Sequence, residues 1–248
     1  MSVKTQPQLV LDGISRDFPL PGGEHRAVLD NVSFAVQPGE FVSIIGPSGC
    51  GKSTLFNIIA GLDKPSRGQV FSDGDVAYMP QKDVLFLWRS IAANAALGLE
   101  VQGVKRSTVR ARVREWFPRF GLAGFEDCLP FELSGGMRQR AALLRTVVQN
   151  KRTLLLDEPF GALDALTKQD LQTWLQQVWA EHNWTALLIT HDVREAILLS
   201  DRVVVLSPRP ATVSLILDVD LPKPRGIDAL TSPRFLELER ILLQTLGS

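Results

Sequence analysis

Cysteine and histidine are scarce in this sequence of 248 residues, which contains two cysteines and three histidines. The two cysteines, Cys50 and Cys128, are too few for a disulfide framework. Neither cysteine has a metal-ligand spacing with a histidine. The sequence therefore excludes a disulfide-stabilised scaffold and favours a reducing cytosol.

Long hydrophobic runs are also missing. The apolar runs at 41–45, 153–156 and 203–206 are far shorter than the roughly 18 residues that a membrane-spanning helix needs. The N-terminus lacks the charged start and the apolar run of a secretory signal. We therefore expect a cytoplasmic chain that does not span a bilayer.

An excess of charge of one sign is the third feature that the sequence lacks. Lys and Arg number 27, Asp and Glu number 27, and the formal net charge is zero. No overall field would hold such a chain on nucleic acid or on an anionic membrane. A basic stretch at 105–119 is best explained as a solvated helix face. We expect no nucleic-acid partner.

The composition that remains is 45% hydrophobic and 22% charged, which is typical of a globular enzyme. No period of roughly 20 to 50 residues repeats. Short β-like runs and helical stretches alternate in the second half of the chain, which predicts a largely parallel sheet with crossover helices. The predicted strands lie at 9–11, 32–36, 41–45, 76–79, 153–156, 186–190 and 203–206.

Two further segments interrupt this pattern. Residues 84–132 are rich in Ala, Leu and Arg with helical spacing, which predicts an inserted helical lobe. After Val219, two prolines break regular structure, and an amphipathic helix follows that should pack on the body. Its apolar face is marked by Phe235, Leu238, Ile241, Leu242 and Leu246.

A glycine-rich loop carries the first chemical signal, because it follows the strand at 41–45 and precedes a helical run at 55–60. Its glycines let the backbone curl so that N–H groups point at phosphate oxygens, and the helix N-terminus adds partial positive charge. Lys52 would reach the β- and γ-phosphates, and the Ser53 hydroxyl would reach Mg²⁺. The predicted phosphate-binding residues are Gly46, Pro47, Ser48, Gly49, Cys50, Gly51, Lys52, Ser53 and Thr54.

Two adjacent acids, Asp157 and Glu158, follow the apolar strand at 153–156. A carboxylate at the end of such a strand lies beside the phosphate loop in an open α/β sheet. Asp157 could hold Mg²⁺, and Glu158 could accept a proton from the water that attacks the γ-phosphorus. Solvation or helix capping would explain the pair only if no phosphate loop preceded it.

A third motif, Leu-Ser-Gly-Gly-Met-Arg-Gln-Arg at 133–140, opens a helical run that continues through Val148. Capping of a helix by serine explains only Ser134. The motif resembles the signature motif of ATP-binding-cassette (ABC) ATPases, and the resemblance extends in order through nearly the whole chain. It implies that Ser134, Gly135 and Gly136 contact the γ-phosphate of a nucleotide held by a second protomer.

The resemblance also implies roles for residues that the local pattern leaves open. Gln81 resembles the glutamine that contacts Mg²⁺ or the attacking water, and 162–164 resembles the loop that crosses between two cassettes. His191 is similar to the switch histidine that touches the γ-phosphate, whereas His25 and His182 are expected to be structural.

The implied cofactors are ATP and Mg²⁺. The implied catalytic residues are Lys52, Gln81, Glu158 and His191, and the implied metal-contacting residues are Ser53, Gln81 and Asp157. Phe18 matches the aromatic residue that stacks on adenine, and an ordinary core phenylalanine is the alternative.

The resemblance implies an α/β fold in which a RecA-like P-loop NTPase core carries an N-terminal antiparallel β subdomain and an inserted helical subdomain. The whole chain, 1–248, is expected to be one ABC ATPase domain. Within it, 1–83 and 133–220 form the nucleotide-binding core with the β subdomain, 84–132 form the helical subdomain, and 221–248 form a C-terminal tail helix.

A single cassette without membrane helices resembles the ATPase subunit of a bacterial importer, most closely of the nitrate, sulfonate and taurine family or of carriers of thiamine-precursor pyrimidines. The implied partners are a second copy of the chain, bound head to tail with ATP, a separate permease and, indirectly, a solute-binding protein. The implied location is the cytoplasmic face of the inner membrane, peripheral to it. The alternative is a soluble ABC ATPase with no role in transport.

The environment of one segment distinguishes these two functions. The segment consists of Leu85, Phe86, Leu87 and Trp88. In a free-standing ATPase its side chains would be core of the helical lobe, because aromatic residues are most often buried for packing. In an importer subunit, part of the segment would line a groove for a short helix of the permease.

Overall fold

Nine strands and seven α-helices make up the part of the chain that the computed structural model describes, residues 6–247. The strands are β1 (Leu9–Pro19), β2 (His25–Val36), β3 (Phe41–Ile45), β4 (Arg67–Ser72), β5 (Val76–Met79), β6 (Thr153–Asp157), β7 (Thr185–Ile189), β8 (Arg202–Leu206) and β9 (Val213–Asp218). The helices are α1 (Lys52–Ile59), α2 (Ile91–Val101), α3 (Arg106–Trp116), α4 (Gly135–Val147), α5 (Ala165–His182), α6 (Val193–Leu199) and α7 (Pro233–Leu246).

The central sheet has six strands in the order β5-β6-β7-β3-β8-β9. Its first five strands are parallel, with Val42 of β3 opposite Leu187 of β7 and Arg202 of β8. Every residue of β3, β6 and β7 is buried, because helices cover both faces of a parallel sheet and the strands are then continuously apolar. The prediction of a largely parallel sheet is confirmed.

Two details of the strand prediction are wrong. β7 begins at Thr185 and ends at Ile189, so Thr190 lies just beyond the strand. β4 and the antiparallel edge strand β9 were not predicted. Both edge strands are largely solvent-facing, so their sequences lack the continuous apolar run that identifies the central strands.

A second sheet, with the order β2-β1-β4, is antiparallel. Its apolar face packs on α1 and forms one core with the phosphate-loop side of the central sheet. The Arg16 guanidinium also binds the Asp63 carboxylate with two bonds of 2.9 and 2.8 Å, which joins β1 to the segment after α1.

The helical lobe consists of α2, α3 and two short 3-10 turns, at Pro118–Phe120 and Pro130–Glu132, and α2 packs on α4. Residues 84–90 are not helical, because α2 begins only at Ile91, where the Ser90 hydroxyl caps it by accepting a bond of 3.2 Å from the Ala93 N–H. Residues 84–90 thus form a loop that leads into the helical lobe. Among the helices of residues 6–247, none combines the length and the apolar character that a bilayer span requires.

The C-terminal helix α7 packs on the body as predicted. Phe235, Leu238 and Leu242 are fully buried beside residues of α6 and β8, while Ile241 and Leu246 are half-buried. The amphipathic pattern of this segment is thus confirmed.

A buried arginine anchors the segment that leads to α7. The Arg225 side chain is 3% exposed, and its guanidinium donates hydrogen bonds to the backbone carbonyls of Ile197, Ser200, Val219 and Leu221. Burial lowers the pKa of Arg225. Four carbonyl groups at the end of α6 and after β9 therefore depend on one side chain.

We expect Arg225→Met to lower the free energy of unfolding by about 3 kcal/mol, because it leaves several buried carbonyls without donors. Urea denaturation followed by circular dichroism measures the change. The control is Arg240→Met, since Arg240 is an exposed residue of α7. Equal midpoints for the two variants would show that Arg225 contributes nothing beyond an ordinary surface arginine.

Candidate active site

A cavity of about 630 Å³ opens at the edge of the central sheet where the parallel strands end. Its walls come from the segments that follow β3, β5, β6, β7 and β8, which is where open α/β sheets bind their ligands. The lining residues are Gly46, Ser48, Gly49, Gly51, Lys52, Ser53, Thr54, Gln81, Glu158, Ile189, His191 and Arg209.

Two glycines of the predicted phosphate loop are required by close packing. A Cβ on Gly46 would lie 2.9 Å from the carbonyl oxygen of Leu206. Gly51 has φ 126°, and a Cβ there would lie 2.8 Å from Val28 Cγ1. The loop therefore fits between β8 and β2 only with its glycines, and its curled backbone surrounds the cavity. Cys50 is buried at 2% exposure and serves as packing beneath the loop.

Lys52 is the first residue of α1 and is 8% exposed. Its ammonium group donates to the carbonyl oxygens of Gly46 at 2.8 Å and Pro47 at 3.0 Å. The side chain therefore lies back across the loop, and the positive charge is held inside the curl where the loop N–H groups and the helix N-terminus also add positive potential.

Asp157 lies below the loop at the end of β6 and is 2% exposed. Its carboxyl group is hydrogen-bonded to the side chains of Ser53 and Tyr78. Burial raises the pKa of Asp157, while the Ser53 bond and the charge of Lys52 act in the opposite direction. Burial and the neighbouring Asp157 raise the pKa of Tyr78 to about 12, so the phenol stays protonated and able to donate.

Glu158 faces the cavity, in contrast to its neighbour. The amide of Gln81 donates to one carboxylate oxygen of Glu158 at 3.0 Å, and His191 Nδ1 lies 3.5 Å from the other. Glu158 has φ 50°, a left-handed backbone conformation that few non-glycine residues adopt. The structure thus brings together the three residues Gln81, Glu158 and His191 that the sequence places 33 or more positions apart.

Gln139, which sequence analysis did not single out, holds this arrangement from α4. Its amide N–H donates to the Glu158 carbonyl oxygen at 2.7 Å, and its amide oxygen accepts from the Ala162 N–H at 2.7 Å. It is 6% exposed. One side chain therefore joins the helix that begins at the signature motif to the strained Glu158 backbone.

A partly buried ion network supports the loop that carries His191. Lys168 of α5 lies 2.7 Å from the Asp192 carboxylate and 2.8 Å from the Glu195 carboxylate. Asp192 also caps α6 by accepting bonds from the N–H groups of Arg194 and Glu195. Burial raises the pKa of Glu195, which is 4% exposed, although the Lys168 charge opposes this.

The residues of the predicted signature motif, Ser134, Gly135 and Gly136, lie outside the cavity of their own chain. Ser134 caps α4 by accepting a bond of 3.3 Å from the Met137 N–H. A Cβ on Gly136 would lie 3.1 Å from Leu163, in the 162–164 segment. Ser134, Gly135 and Gly136 do not line the cavity that holds Lys52 and Glu158.

Phe18 also lies outside the cavity lining. It sits on β1 opposite Arg26 and is half-buried against the core beside the antiparallel sheet. The Arg16 guanidinium lies 4.4 Å above its ring. Its role toward adenine stays a prediction.

The strand-end cavity, the glycine loop that opens α1 and the paired acids after β6 define a P-loop nucleotide-binding protein. Residues 29–161 match the ABC transporter family. The chain belongs to this family, and it is an ABC-type ATPase, which hydrolyses ATP to ADP and phosphate.

Relatives of the chain cover nearly its whole length. It is 40% identical over 247 residues to an uncharacterized ABC transporter ATP-binding protein, MJ0412, of Methanocaldococcus jannaschii, covering 96% of this chain and 91% of that protein. It is 40% identical over 242 residues to the aliphatic sulfonates import ATP-binding protein SsuB of Bacillus cereus, covering 94% of each. It is 42% identical to the nitrate import ATP-binding protein NrtC of Synechococcus elongatus, covering 96% of this chain but 38% of that protein.

A solved dimeric structure of MJ0796, described as a bacterial ABC transporter cassette, superposes with a TM-score of 0.79 at 29% identity. The superposition covers 86% of this chain and 100% of that chain. The predicted P-loop NTPase fold is thereby confirmed. A second structure of the same cassette, in a post-hydrolysis state bound to ADP and phosphate, superposes with a TM-score of 0.78 at 28% identity, covering 86% of this chain and 100% of that chain.

Proposed function

We propose that this chain is the ATP-hydrolysing subunit of an ABC importer, and that closure of an ATP-bound head-to-tail dimer drives a small solute through a separate permease. One observation carries the proposal: Glu158 faces a phosphate-binding cavity with Gln81 and His191, while the same chain's Ser134 helix lies outside that cavity. The cavity contains the proposed base but not the signature motif. We infer that it is half of a site whose other half is the signature motif of a second protomer. The import names of the relatives SsuB and NrtC support the transport role.

Within this site, the loop N–H groups and Lys52 hold the phosphates of ATP. Glu158 accepts the proton of the attacking water, and Gln81 and His191 position that water and the γ-phosphate. Glu158 suits this role because its carboxylate reaches the cavity, with 22% of the side chain exposed. Phe18 would contact the adenine.

The residues present suit Mg²⁺ bound together with nucleotide. Residues 6–247 contain no group of three or more His, Cys, Asp or Glu side chains that could hold a metal ion alone. Mg²⁺ is usually held by one or two carboxylates together with the phosphates of the substrate, and Asp157, Ser53 and Gln81 would provide the protein ligands. When bound, the ion would neutralise charge that develops on the phosphate oxygens.

The second half of each site would come from the partner protomer. The N-terminus of α4 has backbone N–H groups without partners inside the helix, and these favour an anion such as the γ-phosphate. Ser134, Gly135 and Gly136 would offer these groups to the nucleotide of the opposite chain. Loss of the γ-phosphate removes that contact and lets the dimer open.

A separate groove of about 1000 Å³ suits the permease. Its walls are largely apolar and come from the end of α1, from the loop after β5 and from α2, with Phe86 and Val84 among the lining residues. Trp88 lies just outside the lining, 77% exposed, with its ring 5.0 Å from that of Phe86. Leu85 is the one member of the 85–88 segment that is buried in the core.

The groove is connected to the active site by a well-held loop. Arg145 donates to the carbonyl oxygens of Asp83 and Val84, and the Asp83 carboxylate pairs with Arg138 at 3.1 Å. The fully buried Asn94 bonds the backbone of Phe86 on both sides, at 2.7 and 3.1 Å. Gln81 lies two residues before Asp83 and bonds Glu158. A shift of this loop would therefore move Gln81 relative to the Glu158 carboxylate.

The exposed aromatic surface favours the importer over a free-standing ATPase, in which Leu87 and Trp88 would be core. In the importer, the chain would sit on the cytoplasmic face of the membrane, bound to the permease, and a solute-binding protein would act on the other side. Co-purification with a membrane protein encoded beside it tests this function. A chain that never co-purifies with such a protein would contradict it.

We expect Trp88→Ala to weaken association with the permease and to abolish solute-stimulated hydrolysis in reconstituted membranes, because a large exposed ring beside the groove is lost. Basal hydrolysis by the isolated subunit should stay near wild type, since the ring lies outside the nucleotide cavity. Leu243→Ala, at an exposed apolar residue of α7, is the matched control. An unfolded variant, or one without basal activity, would show that Trp88 is structural.

A further inference from the structure

Arg209 lines the same cavity as the phosphate-binding loop, and no acceptor or acid pairs with its guanidinium among residues 6–247. One guanidinium nitrogen lies 3.6 Å from the position that a Cβ on Gly49 would occupy. The other fixed cation of the lining, Lys52, already donates to two loop carbonyls. The family resemblance assigns no role to Arg209, and no local motif points to it.

The backbone that carries Arg209 is held rigidly. Pro208 and Pro210 flank it, and each proline fixes its own φ. The Ser207 N–H donates to the Thr212 carbonyl at 3.0 Å, and the Thr212 N–H donates to the Ser207 hydroxyl at 2.9 Å. These bonds close a tight turn between β8 and β9 with Arg209 near its tip.

The turn is also bonded to β2 on one side and packed against the phosphate loop on the other. The Ala211 N–H donates to the Val28 carbonyl at 2.9 Å, and the Asp30 N–H donates to the Ala211 carbonyl at 2.9 Å. On the other side, Leu206 lies so close to Gly46 that no side chain fits between them. The Arg209 backbone therefore keeps a fixed position relative to the phosphate loop.

We propose that Arg209 binds the phosphate groups of the nucleotide beside Gly49, as a second cation that acts together with Lys52. The guanidinium presents several N–H donors in a planar fork that matches two phosphate oxygens, which a lysine cannot reproduce. The Glu158 carboxylate in the cavity lining, together with the buried Asp157 below the loop, increases the need for positive charge around a polyphosphate. This inference rests on the proposed nucleotide site.

The test is titration calorimetry of the full-length chain with ADP in the presence of Mg²⁺, because ADP retains phosphates but is not hydrolysed. Arg209→Gln is expected to weaken ADP binding about tenfold, the effect of losing a charge-assisted hydrogen bond. Arg209→Lys, which keeps the charge and loses the fork, should show a smaller loss. Arg240→Gln removes the same charge from an exposed site on α7 and should bind ADP as wild type does.

Adenosine separates phosphate contact from base contact, because an arginine can also stack on adenine. Unchanged adenosine affinity in Arg209→Gln supports the proposal. An equal loss for adenosine and ADP, an unchanged ADP affinity, or an equal loss in Arg240→Gln would each overturn it. If the wild-type chain binds no nucleotide at all, the proposed function fails, and this result is distinct from failure of the Arg209 assignment.

Discussion

Glu158→Gln should hydrolyse ATP about a thousandfold more slowly than the wild-type chain, which is within the usual contribution of a general base. The amide matches the carboxylate in size, and its oxygen can still accept the bond that Gln81 donates to Glu158. It cannot accept a proton from water. ATP should therefore bind and persist, and the closed dimer should accumulate.

Phosphate release under steady-state conditions, together with the nucleotide content of the gel-filtered dimer, measures this effect. The control is Glu237→Gln, at a solvent-facing carboxylate of α7 that pairs with Arg234, and it should hydrolyse ATP at the wild-type rate. A Glu158→Gln variant with a near wild-type rate would show that another group accepts the proton.

The surroundings of Asp157 and Glu158 support the roles that their sequence positions predict. Asp157 is almost fully buried and is occupied by bonds from Ser53 and Tyr78. Glu158, the first residue after β6, has a left-handed backbone conformation, and its carboxylate lies in the cavity lining. The surroundings of these neighbouring carboxylates therefore suit the separate roles that we propose, Asp157 toward the metal and Glu158 toward water.

Sequence reasoning located the phosphate loop and the paired acids because their chemistry is local. A glycine loop between a strand and a helix, and acids at the end of an apolar strand, are determined by residues a few positions apart. Gln139 and Lys168 act through partners far away in sequence, such as Lys168 with Asp192, and Arg209 reaches the cavity only through the turn between β8 and β9. Lys168 and Arg209 belong to none of the motifs, and the 133–140 motif contains Gln139 but does not indicate its bonds to the Glu158 carbonyl and the Ala162 N–H.

The 84–90 segment shows what the sequence alone leaves open. Its apolar residues are compatible with core of the helical lobe or with the lining of a groove, and only the structure shows that Leu87 and Trp88 are 62% and 77% exposed. The loop is stabilised by the buried Asn94, which satisfies the backbone of Phe86, Arg89 and Ser90. An asparagine within a helical pattern gives no indication that it serves a preceding loop.

Gln139 connects the two halves of the proposed dimeric site within one chain. It lies one turn after Ser134 on α4, and it bonds the Glu158 carbonyl and the Ala162 N–H. Contact of Ser134 with a γ-phosphate in the partner's site would therefore be passed, through one helix, to the base in the chain's own site. This link operates only if Ser134 contacts the nucleotide of the partner chain rather than that of its own chain.

Ser134→Arg is expected to abolish ATP-dependent dimerisation in the Glu158→Gln background while leaving ATP binding to the isolated protomer intact. Ser134 lies outside the nucleotide cavity of its own chain, so the long cation meets no bound nucleotide until a second protomer approaches. There it would occupy the space that the γ-phosphate needs. Light scattering with ATP measures the dimer, and calorimetry at low protein concentration measures binding.

Loss of the helix cap must be separated from the steric effect, because Ser134 also accepts the Met137 N–H. Ser134→Ala removes that cap, at about 1 kcal/mol of helix stability, without adding bulk. It should still dimerise with ATP, although more weakly, since the α4 backbone N–H groups remain free to contact the phosphate. A Ser134→Arg, Glu158→Gln double variant that dimerises like Glu158→Gln alone would mean that the signature helix does not complete the partner's site, and that each chain hydrolyses ATP with the residues of its own cavity.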